Sequence, residues 1–309
     1  MPIKIPNKLP AASVLERENI FFMDADRAYG QDIRPLRLCI LNLMPVKSVT
    51  ETQLLRLLGN SPLQVEIDFI YTESYLPQHT SQEYLTEFYG TFAEVRNRKY
   101  DGFLMTGAPV EQMPFEEVAY REEVCDIMEW SKTHAFSYIC WGAQAGLYYH
   151  YGIPKHPVPE KIFGVFRHHL CVEHEKLFRG FDDEFYVPHS RHTEVRRADL
   201  ARVPELTVMA EAESPADVYC VANLAANQFF ITGHAEYDPL TLKSEYDRDQ
   251  AAGINVQVPC NYYPDDDPTQ APTVRWRSVA NLLFANWLNY YVYQETPYEL
   301  DRIAAPRDE

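Results

Sequence analysis

The stretch Phe136-Ser137-Tyr138-Ile139-Cys140-Trp141-Gly142-Ala143-Gln144-Ala145-Gly146-Leu147-Tyr148 changes character at its middle. Up to Cys140 it is a short, nearly unbroken apolar run, the pattern of a strand buried on both faces of a parallel sheet. From Gly142 to Tyr151 the small residues, with Leu147 and Tyr148, read as a helix. Strand, cysteine and helix start follow one another with no loop between them, which is the layout of a nucleophile elbow. Such a bend lifts a side chain above the carboxyl edge of the sheet and aims a helix amino terminus at it. That terminus favours a thiolate and offers backbone N–H groups to an oxyanion. Gly142 permits the close approach that the bend requires. Taken alone, a cysteine at a strand end is equally a buried structural thiol.

Outward from this stretch the same grammar repeats. Leu36 to Leu43, Val65 to Tyr71 and Tyr100 to Met105 read as strands. Between them lie helical segments at Glu51 to Leu58, with Thr50 as its cap and Gly59-Asn60-Ser61-Pro62 as its stop, at Ser81 to Arg96, and largely at Phe115 to His134. The alternation predicts an α/β fold built on a doubly wound, mostly parallel sheet. Later segments are richer in β, at Leu206 to Ala212, Val218 to Ala222 and Gln228 to Thr232, and Val274 to Gln294 has helical spacing. The organisation expected is an amino-terminal arm (1–35), one α/β domain (36–301) and a polar tail (302–309).

Composition narrows the function. With 45 acidic and 28 basic residues among 309, the net charge of −17 disfavours nucleic acid or an anionic membrane as a partner. No stretch approaches the roughly 20 apolar residues of a membrane span, so a soluble cytoplasmic protein is expected. The six cysteines are scattered, with no C-x-x-C pair, so reduced thiols are the default. The 12 glycines include no G-x-G-x-x-G, and Gly102 and Gly107 are followed by Ala108-Pro109 where a phosphate loop needs Lys and Ser or Thr.

A second motif points to chemistry. Phe229-Phe230-Ile231-Thr232-Gly233-His234-Ala235-Glu236 is an apolar strand running out into polar residues. If the chain stays extended there, His234 and Glu236 lie on one side, so the carboxylate can orient the imidazole and stabilise its charged form. A His-x-Glu pair alone is more often a surface or capping pair. With an elbow cysteine 94 residues upstream it becomes a Cys140-His234-Glu236 triad. His168, His169, Cys171 and His174 fit no standard zinc spacing, and adjacent histidines point apart in a strand, so no metal is expected.

Further segments carry a resemblance: Arg34-Pro35-Leu36-Arg37 with Leu41-Asn42-Leu43-Met44-Pro45, Asp101-Gly102 with Thr106-Gly107-Ala108-Pro109, Ile139-Cys140-Trp141, Arg179-Gly180-Phe181-Asp182-Asp183, Pro188-His189-Ser190-Arg191, Thr232-Gly233-His234 with Glu236-Tyr237-Asp238, and Asn286-Trp287-Leu288-Asn289-Tyr290-Tyr291. In this order, and almost end to end, the chain resembles the homoserine O-acyltransferases of methionine biosynthesis, the homoserine transsuccinylases and transacetylases. That family is similar in fold to class I glutamine amidotransferases, which implies a flavodoxin-like core. By the resemblance Cys140 accepts an acyl group from acyl-CoA as a thioester, His234 is the general base and Glu236 its orienter. Ping-pong transfer to the hydroxyl of L-homoserine follows. The oxyanion donors implied are the N–H of Trp141 and one from the loop Leu43 to Lys47.

Homoserine presents an ammonium and a carboxylate, and its site needs opposite charges held apart. Glu245 and Arg248, three residues apart on a helix expected after Pro239, share a face. The resemblance puts Arg248 on the substrate carboxylate and adds Lys161 and Ser190, while a plain helix ion pair is the alternative reading. Lys47 is the local candidate for a CoA phosphate. The family's donor choice resembles a switch between Gly and Glu just after Thr-Gly-Ala-Pro. Here Glu111 stands there, and a carboxylate in the acyl pocket repels succinyl while leaving room for acetyl. The expectation is therefore a homoserine O-acetyltransferase with acetyl-CoA as co-substrate, no other cofactor, and a homodimer as the family implies. Succinyl transfer, glutamine amide hydrolysis by a Cys-His-Glu site, and a non-enzymatic interaction protein are the alternatives. Departures from the family pattern are Phe163, Ala235 and two residues fewer before Cys140.

Overall fold

The computed structural model describes residues 3–5, 9–17, 22–23, 35–77 and 79–295. The expected polar tail at 302–309 and much of the arm at 1–35 lie outside them. In chain order the elements are β1 (Ile3–Lys4), α1 (Ala11–Arg17), β2 (Phe22–Met23), β3 (Leu36–Leu41), α2 (Lys47–Leu58), β4 (Val65–Ile70), α3 (Gln82–Phe88), β5 (Tyr89–Gly90), α4 (Phe92–Val95), β6 (Gly102–Met105), α5 (Arg121–Ser131), β7 (Ala135–Ile139) and α6 (Trp141–Tyr151). Then follow β8 (His156–Leu170), β9 (Glu184–Glu194), α7 (Arg197–Leu200), β10 (Thr207–Ala212), β11 (Val218–Asn223), β12 (Gln228–Ile231), α8 (Thr241–Ala251) and α9 (Arg277–Asn286), which runs into a π-helical segment Trp287–Tyr293.

The sheet order is β2-β1-β4-β3-β6-β7-β12-β11-β10-β8-β9. From β2 to β12 all neighbours are parallel, and from β12 to β9 all are antiparallel. Numbered from β3, the central parallel strands run 2-1-3-4-5, the flavodoxin-like order, which opens a crevice beyond the carboxyl ends where the order reverses. The expected doubly wound sheet is present, with an antiparallel wing added.

Each strand's alternation divides its side chains between two cores. Leu36, Leu38 and Ile40 join Leu54, Leu58, Leu283 and Leu288 on one face, whereas Cys39 and Leu41 join Val124, Ile127 and Leu147 on the other. Buried Ile5, Leu9 and Leu15 tie the arm to the first of these cores, and β1 adds to the sheet beside β4. Among the described residues no helix is long and apolar enough to cross a membrane.

Three helix expectations are corrected. Helix α2 begins at Lys47, so Thr50 lies inside it; its amino end has no side-chain cap of its own, and Thr80 Oγ1 accepts the Lys47 N–H from another element. The single helix read over 81–96 is broken at Tyr89–Gly90, which pair with β4, and a capping box of Thr91 and Glu94 starts the short α4. The helix expected over 115–134 is confined to Arg121–Ser131, after a 3₁₀ turn at Phe115–Glu117.

Four histidines are held neutral by the core. Burial brings His134 and His150 down to about 4 and His168 to about 3, and burial with the Arg191 charge drives His189 well below its ordinary value. Once unfolded, these groups bind protons below about pH 6.5, while the folded chain does not. Stability is therefore expected to fall as pH drops from 6.5 towards 5, by up to roughly 1.4 kcal/mol per pH unit for each histidine. Urea unfolding at pH 6.5, 5.75 and 5 measures it, and a flat midpoint across that window contradicts the reading.

Candidate active site

Cys140 follows the last residue of β7 and precedes the first of α6, with φ 52° and ψ −115°. Few side chains adopt that conformation, and it costs of order 1–3 kcal/mol. It is held from both sides: the Cys140 N–H donates to Ile231 O (2.7 Å) on β12, and its carbonyl accepts the Gln144 N–H (3.1 Å). The sequence folds this way because residue 142 lacks a side chain. A Cβ there would stand 2.6 Å from Thr106 O and 3.2 Å from Met105 O, so the helix start could not approach the end of β6. Gly107 does the same beneath the cysteine, where a Cβ would meet Cys140 Cβ at 3.2 Å. Gly142→Ala is expected to cost roughly 1–3 kcal/mol and to displace the sulfur. Thermal melts together with the rate of Cys140 alkylation check this, and parental values for both would refute it.

His234 lies just past β12, buried, with its N–H on Pro188 O (2.8 Å). Its Nδ1 is 2.6 Å from Glu236 Oε1, and the ring hydrogen-bonds Cys140, which leaves Nε2 for the sulfur. Burial alone would lower the imidazole's pKa. The charges and hydrogen bonds of Cys140 and Glu236 outweigh it, and the ring sits well above its ordinary value. The ring also stacks on Tyr237, 4.1 Å between centroids with planes 17° apart. The extended chain expected at 234–236 is instead a turn, closed by Tyr237 N–H on His234 O (3.3 Å), and the turn brings the carboxylate to the ring. The three side chains of the expected triad are thus in one hydrogen-bonded line.

Cys140 and His234 open on a cleft of about 1340 Å³, with Glu236 behind the ring. One wall is α8, the other the long hairpin β8–β9, in which Phe163 pairs with Ser190. Along β9, His189, Arg191 and Thr193 are buried, while Ser190, His192 and Glu194 face the cleft. Glu245 accepts from Ser190 Oγ (2.5 Å) and Lys161 Nζ (3.4 Å) on one oxygen and from Tyr237 OH (3.0 Å) on the other. Lys161 also reaches Asp249 (3.3 Å) and lies 4.0 Å over the Phe163 ring. Arg248 pairs with Asp249 (2.6 Å), with two-thirds of its side chain exposed at the lip. Glu245 and Arg248 both border the cleft, each with a different partner, so the plain helix ion pair is not formed between them.

Glu111 lines the same cleft, half-buried, with its Oε2 atom shielded from solvent. It accepts a hydrogen bond from the His192 N–H, but its Oε2 has no partner, and burial raises its carboxyl pKa against the pull of His192, His234 and Lys161.

One expectation is corrected and another narrowed. Lys47 is buried, not poised for a CoA phosphate: its Nζ donates to Asn42 O, beside Glu51, and burial lowers it to about 8. In the loop Leu43 to Lys47, Leu43 N–H is on Thr106 Oγ1 (2.8 Å), Met44 N–H on Asn42 Oδ1 (3.1 Å) and Lys47 N–H on Thr80 Oγ1 (3.4 Å), which leaves the Val46 N–H as the loop's candidate oxyanion donor. The N–H of Trp141, in the first turn of α6, has no intrahelical partner.

Sequence reasoning missed Tyr237 and Asp249, which hold Glu245 and Lys161. Both sit next to residues it did single out, and no spacing distinguishes them. His168 and His169 do point apart: His168 is buried with His189 (2.9 Å between Nε2 atoms), and His169 is exposed with Cys171 and Glu211 nearby. The Arg197 guanidinium hydrogen-bonds both Glu211 and Cys171, so a cation already stands at that cluster.

Comparison with known proteins agrees with this architecture. A glutamine amidotransferase from Thermotoga maritima superposes with a TM-score of 0.57 at 14% identity, covering 84% of this chain and all of that one. A glutamine amidotransferase from Methylobacillus flagellatus gives 0.50 at 11%, covering 87% and 99%. These likenesses speak for the fold alone. Relatives named homoserine O-acetyltransferase are far more similar: that of Geobacillus kaustophilus is 60% identical over 97% of this chain and 99% of its own length. That of Acetivibrio thermocellus is 57% identical over 98% and 100%, and that of Clostridium acetobutylicum 59% over 97% and 100%. Residues 2–298 match the family described as homoserine O-succinyltransferase, and the chain belongs to that family.

Proposed function

We propose that the protein is a homoserine O-acetyltransferase, moving acetyl from acetyl-CoA to the hydroxyl of L-homoserine through a thioester on Cys140. The observation that carries the reading is the Cys140–His234–Glu236 line at the head of a cleft that also contains a half-buried, half-satisfied Glu111 carboxylate. Full-length identity near 60% to relatives named for that activity supports it.

In the first half-reaction the Cys140 sulfur attacks the acetyl carbonyl of acetyl-CoA, and the carbon–sulfur bond to CoA breaks. The negative charge on the carbonyl oxygen meets the Trp141 N–H and the amino end of α6. His234, charged with Glu236 behind it, passes its proton to the departing CoA sulfur. Thioester exchange is nearly isoenergetic, so the acetyl group stays activated. In the second half-reaction the now neutral His234 takes the proton of the homoserine hydroxyl, the oxygen attacks the thioester, and the sulfur leaves. The same proton restores the imidazolium, with Glu236 keeping Nδ1 engaged throughout.

The cleft wall provides for the other end of homoserine. Glu245, held by Ser190, Lys161 and Tyr237, offers a carboxylate to the ammonium, and Arg248 at the lip offers a guanidinium to the carboxylate. Glu111 is read as the group that excludes a succinyl tail.

Mass spectrometry of the protein mixed with acetyl-CoA, without homoserine, tests the reading. One acetyl group on the peptide containing Cys140, discharged on adding homoserine, is the expected result. An unmodified Cys140 refutes the mechanism.

A further inference from the structure

Lys155 lies in the short connection between α6 and β8, away from the reacting atoms, and it makes an unusual set of contacts. Its half-buried ammonium donates to two backbone carbonyls, Glu111 O and Met113 O (2.6 Å for the latter), and stands 4.5 Å over the Phe115 ring. Among the described residues it forms no salt bridge, so this cation serves as a clamp on main chain. All three contacts fall on one loop, the one that carries Glu111. Two carbonyls two residues apart and a ring face take the three directions in which an ammonium can act.

The rest of the loop shows what the clamp controls. It leaves β6 with Gly107 pressed against Cys140, turns at Val110–Met113 through Met113 N–H on Val110 O (3.1 Å), and ends on Phe115, stacked on Tyr148 at 4.7 Å. The two ends are therefore fixed by the nucleophile and by α6. Between them the Glu111 backbone is held from the outside by Lys155, while its carboxylate is held within the cleft by the His192 N–H. How far that carboxylate projects towards the acyl position depends on where the 111–113 backbone stands.

We propose that Lys155 is a positioning residue for acyl-donor choice: by clamping the carbonyls of Glu111 and Met113 it sets the depth of the acyl pocket and so its preference for a two-carbon acyl group. This rests on the reading of Glu111 as the donor-discriminating group. It adds that charge and depth are separately controlled, charge by the Glu111 side chain and depth by the Lys155 clamp.

The test compares kcat/KM for acetyl-CoA, butyryl-CoA and succinyl-CoA in Lys155→Met, Lys155→Gln and Lys155→Arg, with Glu111→Gly in parallel. Butyryl is long but uncharged, so it reports depth without charge. Lys155→Met is expected to lose roughly tenfold of its preference for acetyl over both longer donors, an amount typical of a pocket altered by about one methylene. The KM for homoserine stays unchanged, and Lys155→Arg, which can still donate to both carbonyls, recovers most of the preference. Lys155→Gln, shorter and uncharged, falls between and replaces Lys155→Met if that variant does not fold. Unchanged donor preference in a folded Lys155→Met or Lys155→Gln protein overturns the proposal. If Glu111→Gly shifts donor choice in the same experiment, the reading of Glu111 survives; if it too changes nothing, that reading falls as well. A loss that is equal for all three donors marks Lys155 as merely structural and also overturns it.

Discussion

Cys140→Ala protein is expected to fold as the parent does and to transfer acetyl groups at least about 10⁴-fold more slowly, because it loses the nucleophile that is hydrogen-bonded to His234. The neighbouring side chains define why. His234 and Glu236 are joined to each other and to the sulfur, and without the sulfur they can only assist a direct attack of homoserine on acetyl-CoA. Alanine keeps the Cβ, so the strained bend at residue 140 is imposed on it unchanged, and the fold is not asked to adjust. Circular dichroism and melting temperature should match the parent, and the burst of CoA release on mixing with acetyl-CoA should vanish. A variant that retained on the order of one per cent of parental turnover would contradict covalent catalysis at this residue.

Glu111→Gly is expected to move the ratio of kcat/KM for succinyl-CoA over acetyl-CoA upward by about 10²-fold. The half-buried carboxylate has one oxygen without a partner, so a second carboxylate brought into the same space would share a poorly solvated pocket with a like charge. Glycine removes that charge and frees the volume. It also leaves the His192 N–H and the nearby Lys161 to receive the succinyl tail. Glu111→Gln separates the two effects, since it removes charge and keeps size: a rise smaller than that of glycine is expected. An unchanged ratio in Glu111→Gly would mean that the donor is chosen elsewhere.

The parts of this architecture that could be read from the chain are those in which one residue pattern admits one structure. The short apolar runs at Leu36, Gly102 and Phe136 and the alternation from Val65 read as strands, and with the helices between them they give the parallel sheet. Cys140 and Gly142 announce a bend because no other element needs that pair at that place. The hairpin β8–β9 was not legible. It carries Lys161 and Ser190, yet Pro157, Pro159, Glu160, Lys161, Arg167 and the histidines blur its alternation, and the strand is recognisable only once its partner is present. Lys47 was misplaced for a related reason: a lysine in an acidic chain looks available for phosphate, and nothing local shows that Asn42 O and Glu51 enclose it. The contacts of Glu245 with Ser190, and of Lys155 with the Glu111 loop, join residues far apart in sequence, which spacing cannot express.

The antiparallel wing also divides labour within the molecule. In the proposed mechanism bond making is arranged at the carboxyl ends of β7 and β12, on strands locked into the centre of the sheet, whereas the groups that would grip the amino-acid acceptor hang from an outlying hairpin and one surface helix. Changes to the hairpin and helix can therefore accumulate without unseating the reactive trio. A descendant with a new acceptor alcohol is closer, in mutational distance, than one with a new kind of reaction.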